Sequence, residues 1–173
     1  RTSLREPATP AARQGPTWRF ADNREFAPYP VANRLFRRES PGIFTRAVCN
    51  WPPYRPADGL SRSAQARRAL LYPLVRTAAC KEGIPVGLLD ALVLQESRYN
   101  PFARSPVGAF GLGQLMPGTA RDLGIDRYDL TANVAGAARY LRMQIATFGE
   151  PSLALAAYNA GPGAVQDAIE ANA

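Results

Sequence analysis

The sequence predicts an all-α domain over residues 62–173, preceded by an irregular Pro/Arg-rich segment over residues 1–61. Three observations carry this reading. From residue 62 onward no useful length of chain alternates apolar and polar residues with period two, so no half-buried strand is signalled. Apolar residues recur three and four apart instead, and Gly or Pro punctuates the runs. Nine of the sixteen prolines lie in residues 1–60, a density that forbids long helices there.

The elements follow in order. Val31 to Glu39 is the one short helix expected in the first segment. The aromatics scattered through that segment, among them Trp18, Phe36, Trp51 and Tyr54, suggest that part of it wraps onto the domain. Ser61 or Ser63 caps a helix that runs to Glu82 and is closed by Gly83. Leu70, Leu74 and Ala78 form its buried face, beside Leu71 and Val75, and Pro73 inside it predicts a kink or a split. Pro85 sits in the first turn of the next helix, where a missing N–H costs nothing. Asn100-Pro101 ends it, because a residue before proline avoids the helical region. Pro117 opens a short helix with Ala120 and Leu123 inward and Gly124 as terminator. Thr131 or Asn133 caps a longer one to Phe148, with Val134, Ala138, Leu141, Ile145 and Phe148 on its face. Pro151 starts a helix through Leu153, Ala157 and Tyr158. After Gly161-Pro162-Gly163 a last helix uses Val165, Ala168 and Ile169.

Composition narrows the function classes. The chain has 173 residues, 46% of them hydrophobic, which suffices for one real core. No apolar run reaches the ~18 residues that span a bilayer. The opening RTSLREPATP lacks an apolar h-region, so the chain reads as having no signal peptide, as a mature or trimmed form would. The net charge is +7, and it is uneven. Residues 1–70 hold 13 Arg against 5 acids, whereas residues 71–173 hold 8 cations against 9 acids. The basic segment reads as a solvated arm, or as a docking site for an acidic polymer, anionic lipid or partner. No basic recognition motif or aromatic interleaving points to nucleic acid. There is no histidine, and the two cysteines, Cys49 and Cys80, form no CxxC pair. A Cys/His metal site and a His-based triad are therefore excluded, and no cofactor is implied. Cys49 and Cys80 are either a disulfide or two buried thiols. A bridge would tie the first segment to the first long helix and stabilise by roughly 3–4 kcal/mol.

The stretch around Glu96 carries the chemistry. Leu88 and Leu92 are four apart, as are Leu89 and Val93, and the face they share continues to Glu96. Asp90 and Gln95 point elsewhere. Glu96 is thus a carboxylate at the end of a buried stripe near a helix C-terminus. Desolvation and the negative end of the helix dipole both disfavour its charge, which suits a proton donor near neutral pH. Ser105 through Pro117 follows, a glycine-rich loop that mixes polar side chains (Ser105, Gln114) with apolar ones (Phe110, Leu112, Met116). Such a wall suits a ligand that is hydroxylated yet has apolar faces, such as a sugar. Asp122, Asp126 and Asp129 read as solvated charges, and Asp90 lies on the wrong face of its helix to serve as a second acid.

Glu96-Ser97-Arg98-Tyr99-Asn100-Pro101, then Ser105 through Pro117, then Ala157-Tyr158-Asn159-Ala160-Gly161 resemble, in order and spacing, the signature blocks of the Slt-type lytic transglycosylases. These belong to glycoside hydrolase family 23, which also contains goose-type lysozyme. The resemblance runs from residue 70 to residue 170. It implies the α-lobe of a lysozyme-like fold, a peptidoglycan substrate and a periplasmic location, whose oxidising chemistry would permit the Cys49–Cys80 bridge. It implies Glu96 as general acid and then base, cleaving the β-1,4 bond between MurNAc and GlcNAc with formation of a 1,6-anhydro sugar. Tyr158 and Asn159 match the family's Tyr-Asn pair, in which the tyrosine hydroxyl contacts the catalytic glutamate. Gln114, Ser105 and Met116 match residues lining the glycan cleft. Gly113 departs from the family, which usually has methionine there; its loss would widen the cleft or loosen the loop. Two rival readings stay open: a lysozyme-like hydrolase, and a non-catalytic wall-binding assembly factor. A monomer is expected. A dedicated role in opening the wall for a secretion, conjugation or flagellar machine would suit a small enzyme with a partner-binding arm.

Overall fold

The computed structural model describes residues 53–172. The expected Val31–Glu39 helix, the aromatics of the first segment up to Trp51, and Cys49 lie outside the described residues. Within them the chain forms six helices: α1 (Arg62–Glu82), α2 (Val86–Ser97), α3 (Pro117–Leu123), α4 (Leu130–Phe148), α5 (Pro151–Ala160) and α6 (Pro162–Glu170). No strand occurs among the described residues; two isolated bridges pair Phe110 with Arg104 and with Leu115. α4 is the central support: α5 and α1 pack on it, α2 packs on α1, and α6 packs on α5. The core between them is formed by Val75, Ile84, Leu89, Val93, Leu112, Val134 and Leu141. No helix here is long and apolar enough to cross a membrane.

Local signals set several boundaries. The Ser61 hydroxyl accepts from the Ala64 N–H and caps α1, and Gly83 ends it in the left-handed conformation. Gly124 ends α3 in the same way, and Pro117, Pro151 and Pro162 open α3, α5 and α6. α1 runs through Pro73 without splitting. The carbonyl that the proline leaves without its helical N–H donor belongs to Ala69, an exposed residue, so water can serve it.

Three faces differ from expectation. Leu70 is 78% exposed. Ala78 and Val75 are buried as expected, Leu71 and Leu74 are partly buried, and the rest of the buried stripe of α1 is Ala64, Arg68, Tyr72 and Ala79. The reason is an ion pair: Arg68 Nη2 lies 2.7 Å from Asp90 Oδ2 and its Nε 2.9 Å from Oδ1. Asp90, about 120° round α2 from Glu96, is thus a buried and paired carboxylate. The Tyr54 and Tyr72 rings flank the guanidinium at 5.0 and 5.4 Å. Second, α2 ends at Ser97, before Asn100-Pro101. Arg98 and Tyr99 both adopt positive φ, 50° and 60°. This turns Tyr99 fully inward, where its hydroxyl donates to Asp90 Oδ1 at 2.7 Å. Third, Asp129 rather than Thr131 or Asn133 caps α4, accepting from the Ala132 N–H, and Ala168 and Ile169 of α6 are exposed, leaving Val165 as its buried residue.

Removing one partner of a buried ion pair leaves an uncompensated charge, at a cost of about 3–5 kcal/mol. Asp90→Ala is therefore expected to lose stability on that scale in urea unfolding, and Leu70→Ala almost none.

Candidate active site

Glu96 stands in the last turn of α2. Leu89, Leu92 and Val93 behind it are buried and the glutamate itself is half-buried. Desolvation pushes its carboxyl up from 4.5 to about 7. The sequence stripe thus leads where its spacing points, to a carboxyl group that is half protonated at neutral pH.

Tyr158 of α5 lies beside it. Burial raises the Tyr158 phenol well above the usual tyrosine range, and the neighbouring Glu96 charge and Tyr140 add to the effect. The Tyr140 and Tyr158 rings meet at 5.1 Å. Tyr158 is therefore a neutral hydroxyl with one proton to donate. That proton goes to the Gly113 carbonyl at 2.8 Å. The tyrosine joins the acid's helix to the loop by proximity on one side and by a hydrogen bond on the other.

The loop from Arg98 to Met116 is held by its own polar groups. Ser105 Oγ accepts from the Ala109 N–H at 2.9 Å, and the Ser105 and Ala109 backbones pair at 3.0 Å. Gln114, at φ 46°, gives both Nε2 hydrogens to carbonyls, Ala103 at 3.1 Å and Gly111 at 2.9 Å. Its Oε1 is left as the side chain's remaining polar atom. Arg127 reaches the Gly108 carbonyl and packs on Tyr128. Met116 is half-buried immediately before α3. Asn159 is exposed, its amide donating to Leu155 one turn back in α5 at 3.0 Å. The structure therefore gathers Glu96, Tyr158 and the Gly113–Gln114 segment. Ser105 and Met116 sit on the same loop, Ser105 in a turn of its own, whereas the Asn159 amide bonds within its own helix.

Sequence reasoning missed Asn133. It is fully buried in α4, at 1% exposure. Its Oδ1 accepts from the Gly113 N–H, and its Nδ2 donates to the Phe110 and Arg127 carbonyls, all at 2.9 Å. The available signal was its place in line with Ala137 and Leu141 on the inward side of α4. The expectation for Gly113 is also corrected. A Cβ there would fall 2.4 Å from the Ala137 Cβ and 3.2 Å from the Tyr158 hydroxyl. The space that a side chain would take is filled by α4 and Tyr158, so the loop backbone rests close against the helix and no gap opens there.

An all-helical domain built round one raised carboxyl group, with a glycine-rich loop packed beside it, is a design of the lysozyme-like class. The transglycosylase SLT domain matches residues 73–173, and the chain belongs to that family. It is 38% identical over 104 residues to a membrane-bound lytic murein transglycosylase F from Desulfosudis oleivorans, covering 56% of this chain and 23% of that protein. It is 37% identical over 166 residues to one from Saccharophagus degradans, covering 87% of this chain and 33% of that protein. The solved structure of an inactive glutamate-to-glutamine mutant of the lytic transglycosylase Slt from Pseudomonas aeruginosa matches with a TM-score of 0.50 at 37% identity, over 54% of this chain and 17% of that one. The chain thus spans a third or less of the length of these relatives.

A carboxyl whose folded pKa is raised contributes stability below its unfolded value, which is lost as pH rises to the folded value. For Glu96 that window runs from 4.5 to about 7. Glu96→Gln has no proton to lose, so it is expected to match wild type at pH 4 and to exceed it above pH 7 by up to about 3 kcal/mol, read from urea unfolding at the two pH values.

Proposed function

We propose that this domain is a peptidoglycan lytic transglycosylase. What supports the reading is a single acid poised near neutral pH, in a chain of the SLT family, with no second carboxylate beside it among the described residues. Protonated Glu96 gives its proton to the glycosidic oxygen as the C1–O bond breaks. In a 2-acetamido sugar the amide oxygen supplies the stabilisation that a second carboxylate gives elsewhere. Glu96, now ionised, takes the proton of the sugar's own 6-hydroxyl, and O6 closes on C1. The product is a 1,6-anhydro sugar and Glu96 is again protonated. A pKa near 7 serves both halves, because the group must give and regain one proton at the same pH.

Glu96 is the catalytic residue on this reading. Tyr158 shields it, and Gln114, Ser105 and Met116 line the glycan path; Asn159, exposed on α5, contributes at its edge. The substrate is peptidoglycan, the relatives' printed names place them on murein, and the location that follows is the cell envelope, in the periplasm. Residues 1–61 are a Pro/Arg-rich segment that partly wraps the domain and whose surplus of arginine suits docking to an envelope-spanning machine, and residues 62–173 are the catalytic domain, acting as a monomer.

Glu96→Gln keeps the shape and cannot donate. It is expected to abolish release of anhydro-muropeptides from purified sacculi, by at least about a thousandfold, while glycan binding persists. Wild-type products should be one water lighter than hydrolytic ones; products of full hydrolytic mass would assign the chain to the hydrolases, and binding without turnover to the assembly factors. The rate should fall on the alkaline side with a limb near pH 7, where Glu96 loses its proton. If Cys49 and Cys80 are bridged, thiol titration of the unreduced, denatured chain will find none, and Cys80→Ser will cost roughly 3–4 kcal/mol.

A further inference from the structure

We propose that Asn133 is a positioning residue for this reaction: through the Gly113 backbone it sets where the Tyr158 hydroxyl stands beside Glu96. The proposal rests on the transglycosylase reading of the site. Burying an amide is costly unless it is fully bonded. Its neighbours on the inward side of α4 are Val134, Ala137, Ala138 and Leu141, so packing alone would be satisfied by an apolar residue. Asn133 instead makes three bonds at 2.9 Å, all to backbone outside its own helix. Two fall on the loop, at Phe110 and Gly113, and one on the Arg127 link. The amide fixes the height of the loop above α4.

The fit is close on both sides. Gly111 has φ 80°, and a Cβ on it would meet Asn133 Nδ2 at 2.4 Å. Gly113 lies against Ala137, one turn along from Asn133, with no room for a Cβ. Its N–H is held by Asn133 and its carbonyl by Tyr158. Gly113 thus has both polar groups committed and no side chain to absorb a displacement. A shift at Asn133 passes through Gly113 to the Tyr158 hydroxyl, and Tyr158 is the group that stands beside Glu96.

The test measures kcat, KM and the pH profile per folded molecule, on soluble glycan strands, with melting temperature in parallel. Asn133→Ala is expected to lower kcat roughly ten- to a hundredfold with KM within about twofold. It should also move the alkaline limb to lower pH, because water admitted to Glu96 favours its charged form. Gly113→Ala displaces the same backbone without touching Asn133 and should give the same two changes. Adding Ala137→Gly to Gly113→Ala makes room for the new Cβ and should restore most of the rate and the limb. The proposal is overturned if Asn133→Ala or Gly113→Ala lowers only the melting temperature, with kcat and the limb unmoved. It is equally overturned if neither variant folds, since the contact is then purely structural. Wild type and Glu96→Gln run alongside. If wild type releases no anhydro product, or Glu96→Gln still does, the reading of the reaction fails; if those two behave as expected, failure concerns Asn133 alone.

Discussion

A carboxyl group keeps its proton near neutral pH only where both water and cations are kept from it. That constraint on Glu96 accounts for much of what surrounds it. The domain is rich in arginine, and one well-placed guanidinium would hold Glu96 ionised. The inward-facing arginines are instead committed elsewhere. Arg68 is paired with Asp90, Arg67 donates to the Arg98 carbonyl, and Arg127 serves carbonyls of the loop. Water is restricted by the apolar packing behind the half-buried Glu96, and Tyr158 stands beside it with its own proton spent on Gly113.

α2 is anchored from its opposite side. Asp90 is six residues before Glu96, so the two point about 120° apart round the helix axis. Asp90 takes Arg68 from α1 and the Tyr99 hydroxyl from the turn just after the helix. Two consecutive non-glycine residues at positive φ are costly. They persist because Tyr99 gains full burial and a short hydrogen bond in return. The network is thus a tether at each end of the Asp90–Tyr99 span, with Glu96 between. It keeps the acid's helix from fraying at the end where the acid stands.

The parts that were legible in the sequence are those decided locally. Ser61, Gly83, Pro117, Gly124 and Pro151 mark helix ends because caps and ring constraints act within one turn. The Leu89–Val93–Glu96 spacing gave the acid, because helix periodicity alone puts it on the buried face. What was not legible depends on a partner far along the chain. Arg68 and Tyr72 displace Leu70 from the α1 interface, which follows only once Asp90 is known to lie opposite, 22 residues on. α2 stops before its proline signal because Tyr99 has a buried destination. Asn133 resembles a cap by composition, yet its amide is consumed by a loop twenty residues upstream. The exposed Ala168 and Ile169 fail for the converse reason: α6 has the apolar pattern, but among the described helices it packs mainly on α5.

Gly113 shows how a departure in one residue is absorbed by the fold. Leaving out a side chain beside a cleft ordinarily leaves a gap, and a gap would let water reach the acid and lower its pKa. Here α4 closes in until Ala137 occupies the space, and the backbone of the loop rests directly on the helix. The space beside Gly113 is taken by Ala137 and the Tyr158 hydroxyl, and both Gly113 polar groups are held by hydrogen bonds. The position of this wall beside Glu96 therefore depends on the spacing of α4 and the loop, which the Asn133 and Tyr158 bonds to Gly113 set.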